Sequence, residues 1–248
     1  MQLVEIIKGK KTSSETLAKA FDYVLQLNKI PIVVNDKRGF YTSRVFERYV
    51  KEGFSLLMEG VNPQNIEFAG MQAGFPVGPL SVADEIGISL LDSIRIQEKV
   101  HLETEGKQYL KGPWDKVIDI MIKKLNRTGR ASRSGFYDYP KDSKKKLWPG
   151  LMNHFPLSTA SITQNEMMDR FYFSQAIEAV RCFEEGVLSS VADANIGSIY
   201  GWGFPIFKGG VLQFVNDCGL NAFKVRAREL SYKYGERFVP PTVSYTHL

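Results

Sequence analysis

Few residues in this chain offer chemistry, and they lie far apart. Glu5 stands between Val4 and Ile6 near the start. Strand alternation would turn it to solvent. The other reading is a carboxylate at a strand edge that orients a histidine base. Tyr41-Thr42-Ser43 come just before Arg44. A hydroxyl there can cap the helix that follows. The same helix start also offers free N–H donors to an anion or a carbonyl. Tyr200, ahead of Gly201-Trp202-Gly203, reads either as a core or interface tyrosine or as a substrate contact. Asp84 and Asp217 recur at matching places and read as caps or helix-end partners, not catalytic acids. His101, His154 and His247 read as surface histidines with no carboxylate at a telling spacing. The sequence has no Ser/His/Asp set, no metal cluster, no phosphate loop and no GxGxxG. Local motifs alone therefore give no complete active site.

The elements that must position these residues start with a strand over Met1–Lys8. Thr12 and Glu15 form a capping box for a helix carrying Leu17, Phe21, Val24 and Leu25 on one face. Ile30–Val34 is a second strand. Strand, helix, strand in so short a span is a βαβ unit, which belongs to a parallel sheet. Two parallel strands do not make a stable sheet alone. After the turn at Asn35–Gly39 the pattern is helical: a long helix from Thr42 to Gly60, and one from the Asn62-Pro63 cap to Ala73. A short helix follows at Pro79–Gly87, then further helices at Ile88–Glu105 and Trp114–Leu125. Residues 127–156 read as a connector, interrupted by an aromatic cluster at Gly135–Tyr139 that docks on the first helical unit. Helices resume over Met167–Glu185, Asp193–Tyr200, Gly210–Cys218 and Leu220–Tyr234.

The helical plan occurs twice. Gly74-Phe75-Pro76 leads through a glycine turn and an apolar run to Asp84 and Gly87; Gly203-Phe204-Pro205 leads in the same way to Asp217 and Gly219. Met58-Glu59-Gly60-Val61 is answered by Glu184-Glu185-Gly186-Val187. Two copies of one helical unit are expected about 130 residues apart.

The chain has 248 residues, 44% hydrophobic and 24% charged, enough for one or two domains with a proper core. Cys182 and Cys218 are too few for a disulfide framework and read as free buried thiols in a reducing, cytoplasmic setting. No apolar run is long enough to span a membrane. Much of the net charge of +5 sits in Lys141 and Lys144-Lys145-Lys146. No nucleic-acid reading motif accompanies these lysines, so they read as a solvated linker. A mild positive balance would also suit a phosphorylated coenzyme.

Several stretches together resemble the C-terminal part of 3-hydroxyacyl-CoA dehydrogenase, in the form found in multifunctional fatty acid β-oxidation proteins. They are Met1–Ile7, Gly39–Arg44, Gly74–Pro79, Gly135–Tyr137, and Glu178–Val187 through Gly209-Gly210. The resemblance covers about residues 1 to 241. It implies a mainly α fold: two repeated helical domains of the 6-phosphogluconate dehydrogenase C-terminal-like kind, preceded by a remnant βαβ of a Rossmann domain. The expected division is 1–36 for the end of the NAD-binding domain, 37–139 and 166–241 for the helical domains, 140–165 for a linker and 242–248 for a tail.

In that family a histidine takes the proton from the 3-hydroxyl while hydride passes from C3 to NAD. The resemblance makes Glu5 the carboxylate that orients this histidine, which would precede Met1, as would most of the NAD site. No residue here is assigned to the cofactor or to a metal. Ser43 occupies the place where the family often has an asparagine that contacts the substrate carbonyl, and Tyr200 matches an aromatic substrate contact. The implied partners are an acyl-CoA, a thiolase subunit, and self-association or pairing of the two repeats. The chain by itself is expected to be inactive. The rival readings are a dehydrogenase of free hydroxy acids and a non-catalytic helical module docking on a thiolase-type partner.

Overall fold

The computed structural model describes residues 2–241; Met1 and the expected tail at 242–248, with His247, lie outside the described residues. β1 (Leu3–Lys8) and β2 (Ile30–Asn35) pair in parallel, with Leu3 opposite Ile30 and Lys8 opposite Asn35. α1 (Ser14–Gln26) makes the crossover that parallel neighbours require. Leu3, Ile32 and Val34 are the buried residues of this pair. The cap of α1 differs from the expectation. Ser13, not Thr12, accepts from a first-turn amide, the N–H of Thr16 at 3.1 Å. The Thr12 hydroxyl instead accepts from the Gly9 N–H at 3.1 Å, so it closes the preceding turn and is not available to the helix.

The rest is mainly α, as the patterning predicts. α2 (Thr42–Met58), α3 (Pro63–Gln72), α4 (Pro79–Ile86), α5 (Ile88–Thr104) and α6 (Pro113–Asp119) follow in order. α6 runs on as a π turn over Ile120–Lys124. The hairpin β3 (Tyr137–Asp138) with β4 (Lys146–Leu147) and the short α7 (Leu151–His154) lie inside the stretch expected to be a bare connector. α8 (Gln164–Glu184), α9 (Val191–Trp202), α10 (Val211–Cys218) and α11 (Leu220–Tyr234) complete the chain. Two compact units result. One joins the residues up to Tyr49 with those from Asp169 onward; the other is Val50–Met168. The division falls within α2 and within α8.

The sequence repeat has a structural counterpart inside each unit. In the Val50–Met168 unit, Glu67 of α3 reaches over the start of α4 and accepts from the N–H groups of Leu80 (2.7 Å) and Ser81 (3.2 Å). In the other unit, Asn195 of α9 accepts from Leu212 (2.9 Å) and Gln213 (3.0 Å) at the start of α10. A polar side chain can lie across a helix start only if the residue before the helix leaves room. A Cβ at Gly78 would fall 2.5 Å from the Glu67 carboxyl carbon, and one at Gly210 2.5 Å from Asn195 Cβ. Both copies then end at a glycine with positive φ, Gly87 at 95° and Gly219 at 74°.

The aromatic cluster does dock on the first helical unit. Asp84, buried at the end of α4, accepts from the N–H groups of Phe136 and Tyr137, both at 2.8 Å, and from the Tyr139 hydroxyl at 3.0 Å. The Tyr137 hydroxyl donates to Glu67 at 2.6 Å. Arg127 donates to the Gly135 carbonyl and to Asp138. These bonds satisfy backbone that a loop would otherwise leave to water. Among the expected linker lysines, Lys145 hydrogen-bonds the Ser81 hydroxyl, and its ammonium lies 3.8 Å from Glu85. Among the described residues no helix is long and apolar enough to cross a membrane.

Candidate functional site

The candidate residues Glu5, Ser43 and Tyr200 all belong to the unit of residues up to 49 and from 169 onward. Glu5 is half-buried on β1 and does not turn to solvent. Its Oε1 accepts from the N–H groups of Tyr41 at 3.1 Å and Thr42 at 2.9 Å, and its Oε2 accepts from the Thr42 hydroxyl. The carboxylate therefore caps α2 from outside. The expectation that Thr42 or Ser43 caps that helix is corrected: the Thr42 hydroxyl donates to Glu5, and Ser43 is exposed on the first turn. Gly39 (φ 75°) and Phe40 (φ 47°) bring this about, because two successive left-handed residues turn the chain so that α2 starts beside β1. An anion at a helix start is well placed, since the free N–H groups there carry positive partial charge.

α9 closes the other side. A Cβ at Gly197 would lie 2.9 Å from Ile32 Cδ1 and 3.1 Å from Tyr41 Cε1. One at Gly201 would lie 2.9 Å from Leu3 Cδ2 and 3.0 Å from Thr42 Cγ2. Two glycines four apart thus let α9 lie directly on the strand side chains and the start of α2. Tyr41 is buried there; its hydroxyl donates to the Ala194 carbonyl at 2.8 Å and its ring meets Trp202 edge-on at 5.4 Å. Asp193 accepts from the Val33 N–H at 3.2 Å. Asn35 bonds the carbonyls of Gly186 and Val187 at 2.7 and 2.8 Å. Tyr200 sits on the last turn of α9, 40% exposed, so it is not a core tyrosine; no hydrogen bond joins it to Glu5 or Ser43.

Behind the helix start, Arg44 is committed to α8. Its Nε donates to Glu178 Oε1 at 2.5 Å, and its two terminal nitrogens meet both oxygens of Glu185 at 2.5 and 2.8 Å. Arg48 and Arg181 also reach Glu178, at 2.9 and 3.3 Å. Burial opposes the Glu178 charge, but the three arginines outweigh it and hold the carboxyl below the usual range. Sequence reasoning assigned no role to Glu178 or Glu185. A signal was present: Arg44 and Arg170 each stand sixteen residues before Gly60 and Gly186, and Glu52 and Glu178 each eight before. All of Glu52, Glu178 and Arg170 are buried.

No described histidine bonds Glu5. His101 on α5 lies 3.3 Å from Glu105, one helical turn on, which corrects the reading that it has no carboxylate at a telling spacing. His154 stacks on Trp148. Cys182 and Cys218 are free thiols; burial pushes the Cys182 pKa up to about 12 and leaves it inert. Asp217 accepts from Gln213 on its own helix at 2.8 Å. The arrangement can hold a carboxylate in fixed orientation at the start of a helix whose first turn carries the exposed Ser43.

Residues 39–139 match the family model described as 3-hydroxyacyl-CoA dehydrogenase, C-terminal domain. Residues 1–37 match the one described as 3-hydroxyacyl-CoA dehydrogenase, NAD binding domain. The fatty acid oxidation complex subunit alpha of Vibrio cholerae serotype O1 is 35% identical over 241 residues, covering 97% of this chain and 33% of its own length. That of Shewanella amazonensis is 37% identical over 246 residues, with the same shares covered. The chain thus spans about a third of the length of the curated relatives it matches. Among solved structures, the dehydrogenase part of multifunctional enzyme 1 from C. elegans superposes with a TM-score of 0.71 at 26% identity, covering 98% of this chain and 55% of that one. The 3-hydroxybutyryl-CoA dehydrogenase of Escherichia coli K12 gives 0.72 at 17% identity, covering 98% and 66%, and shares the fold.

Proposed function

This chain belongs to the 3-hydroxyacyl-CoA dehydrogenase family, and on that premise we propose that it serves the oxidation of a 3-hydroxyacyl-CoA to the 3-oxoacyl-CoA. Glu5 is the orienting carboxylate. The observation that carries this reading is its fixation by three donors at the start of α2, the helix that opens with the matched Gly39–Arg44 stretch. A carboxylate so held can fix an imidazole in one tautomer and stabilise its charged form while it takes the proton of the 3-hydroxyl. By the family resemblance the histidine it orients precedes Met1; among the described residues, neither His101 nor His154 bonds Glu5. Ser43, exposed on the first turn of α2, donates to the thioester carbonyl oxygen, and Tyr200 lines the acyl path.

NAD, when bound, takes up the hydride from C3. The parallel β1–α1–β2 unit suits the sheet of a dinucleotide-binding domain, while the sequence has no glycine-rich phosphate turn and no residue here is assigned to the cofactor. The chain's share is the carboxylate and the substrate-facing side chains. We read 37–139 and 166–241 as the two helical repeats of the dehydrogenase, and the setting as cytoplasmic. A thiolase-type subunit is the proposed partner, in line with relatives named as the alpha subunit of a complex. The two repeats pairing with each other, or with a second copy, is the proposed mode of association.

The test is reduction of acetoacetyl-CoA by NADH. The chain alone is expected to stay at the blank, and the protein expressed from the complete gene to turn over. Glu5→Gln should lower kcat of that protein by about a hundred-fold, the lower end of what a positioned acid–base system contributes. Turnover by the chain alone, or an unaffected Glu5→Gln variant, would sink the assignment.

A further inference from the structure

Glu5 is bonded unequally at its two oxygens, and the inequality points beyond Glu5. Oε1 accepts from two backbone amides, which the fold fixes. Oε2 accepts from one side chain, the hydroxyl of Thr42, and a carboxylate oxygen has a second lone-pair direction to offer. The terminal torsion of a glutamate is soft, so bonds to one oxygen alone let the carboxylate plane rock. A donor on the second oxygen fixes the plane, and with it the direction in which that second lone pair meets an imidazole N–H.

We infer that Thr42 is a positioning residue for Glu5, and that Gly201 of the second repeat holds Thr42 in the rotamer that does this. The inference rests on the reading of Glu5 given above. Threonine is branched at Cβ and stiff at χ1, so fixing its methyl fixes its hydroxyl. The Thr42 methyl faces α9 where residue 201 has no side chain; a Cβ there would come within 3.0 Å of Thr42 Cγ2 and 2.9 Å of Leu3 Cδ2. Both distances are shorter than packed carbons adopt, so any larger residue at 201 displaces Thr42 or the strand beneath it. α9 itself is held by Tyr41, the residue before Thr42, through its bond to Ala194 and its contact with Trp202. The orientation of the carboxylate on the first strand is thereby set by a helix near the other end of the chain.

Thr42→Val keeps the shape and removes the hydroxyl; Thr42→Ser keeps the hydroxyl. Two readouts are taken on each. Amide hydrogen exchange at Tyr41 and Thr42 in this chain reports whether Glu5 is still held. The kcat and KM of the protein from the complete gene report whether holding it matters. Thr42→Val should speed exchange at those two amides about ten-fold and lower kcat about ten-fold at unchanged KM, the loss expected for one hydrogen bond to a charged group. Thr42→Ser should restore both to within about two-fold. Wild-type exchange in Thr42→Val, or equal impairment of kcat by Val and Ser, overturns the inference. If Glu5→Gln leaves kcat untouched, the reading of Glu5 fails instead, and the exchange data still decide whether Thr42 holds it.

Discussion

A carboxylate in this protein is useful or costly according to what surrounds it, and three of them show the range. Glu5 meets a helix start. Glu178, 1% exposed, meets three arginines. Asp84 meets only backbone amides and a phenol at bonding distance. Removing Glu178 leaves Arg44 with Glu185 alone and takes from Arg48 and Arg181 the carboxylate they share. Glu178→Ala should therefore cost about 3–5 kcal/mol, measured as a fall in the urea midpoint at unchanged slope. A loss within about 0.5 kcal/mol, that of an ordinary surface substitution, would show that the arginines relax freely into water. The Glu178 pKa is lowered on folding, so its stabilising contribution is present above the unfolded value of 4.5 and is lost as pH falls through the folded value.

At the scale of elements, each repeat depends on a glycine over which a polar side chain from the preceding helix reaches. Gly210 has φ 115°, and a Cβ there would stand 2.6 Å from the Asn195 Cα, which is backbone and cannot move aside. Gly210→Ala should cost about 2–4 kcal/mol in thermal or urea unfolding, combining backbone strain with a lost helix start. A near-neutral result would mean that α10 begins elsewhere. The 135–139 segment makes a different prediction. Burial raises the Asp84 pKa from 3.8 to about 6, although the amides of Tyr137 and Phe136, the Tyr139 hydroxyl and Arg127 all pull it down. Glu67, joined through Tyr137, is raised as well, burial again being the main cause. A carboxyl raised on folding favours the native state fully below its unfolded pKa and loses that advantage as pH rises through the folded value. Stability should thus increase on going from about pH 7 to about pH 5, by about 1 kcal/mol from Asp84, the full difference of about 3 kcal/mol being reached only below its unfolded value of 3.8. Asp84→Asn should flatten that slope; an identical slope in the variant would place the titration elsewhere.

For the whole molecule, β1 pairs with β2 on one edge and has no strand on the other among the described residues. α1 beside it exposes Tyr23 and Leu25, and Leu27 just after it is exposed as well. An open edge next to apolar surface favours association. The sedimentation coefficient of this chain should rise with concentration, and a concentration-independent monomer would refute that. The repeat was legible because Gly-Phe-Pro, an apolar run, an acid and a closing glycine at positive φ recur in the same order, although Gly74 to Gly87 spans 13 residues and Gly203 to Gly219 spans 16. The pairing of Arg44 with Glu178 was not read, although its spacing was visible, because an ion pair between helices 134 residues apart leaves no local pattern.

The sequence by itself determined most of the helices, the strand–helix–strand start, the doubling of the helical unit and the family resemblance. Those depend on periodicity, caps and short motifs, which act between neighbours in the chain. What only the tertiary structure decided is where each polar group finds its partner. Strand alternation sent Glu5 to solvent, yet the left-handed turn at Gly39-Phe40 delivers a helix start to its carboxylate. The same fold sets Gly201 against the Thr42 methyl from 159 residues away. A hydrogen bond is a matter of distance and angle in space, and neither is written in the spacing of residues along the chain.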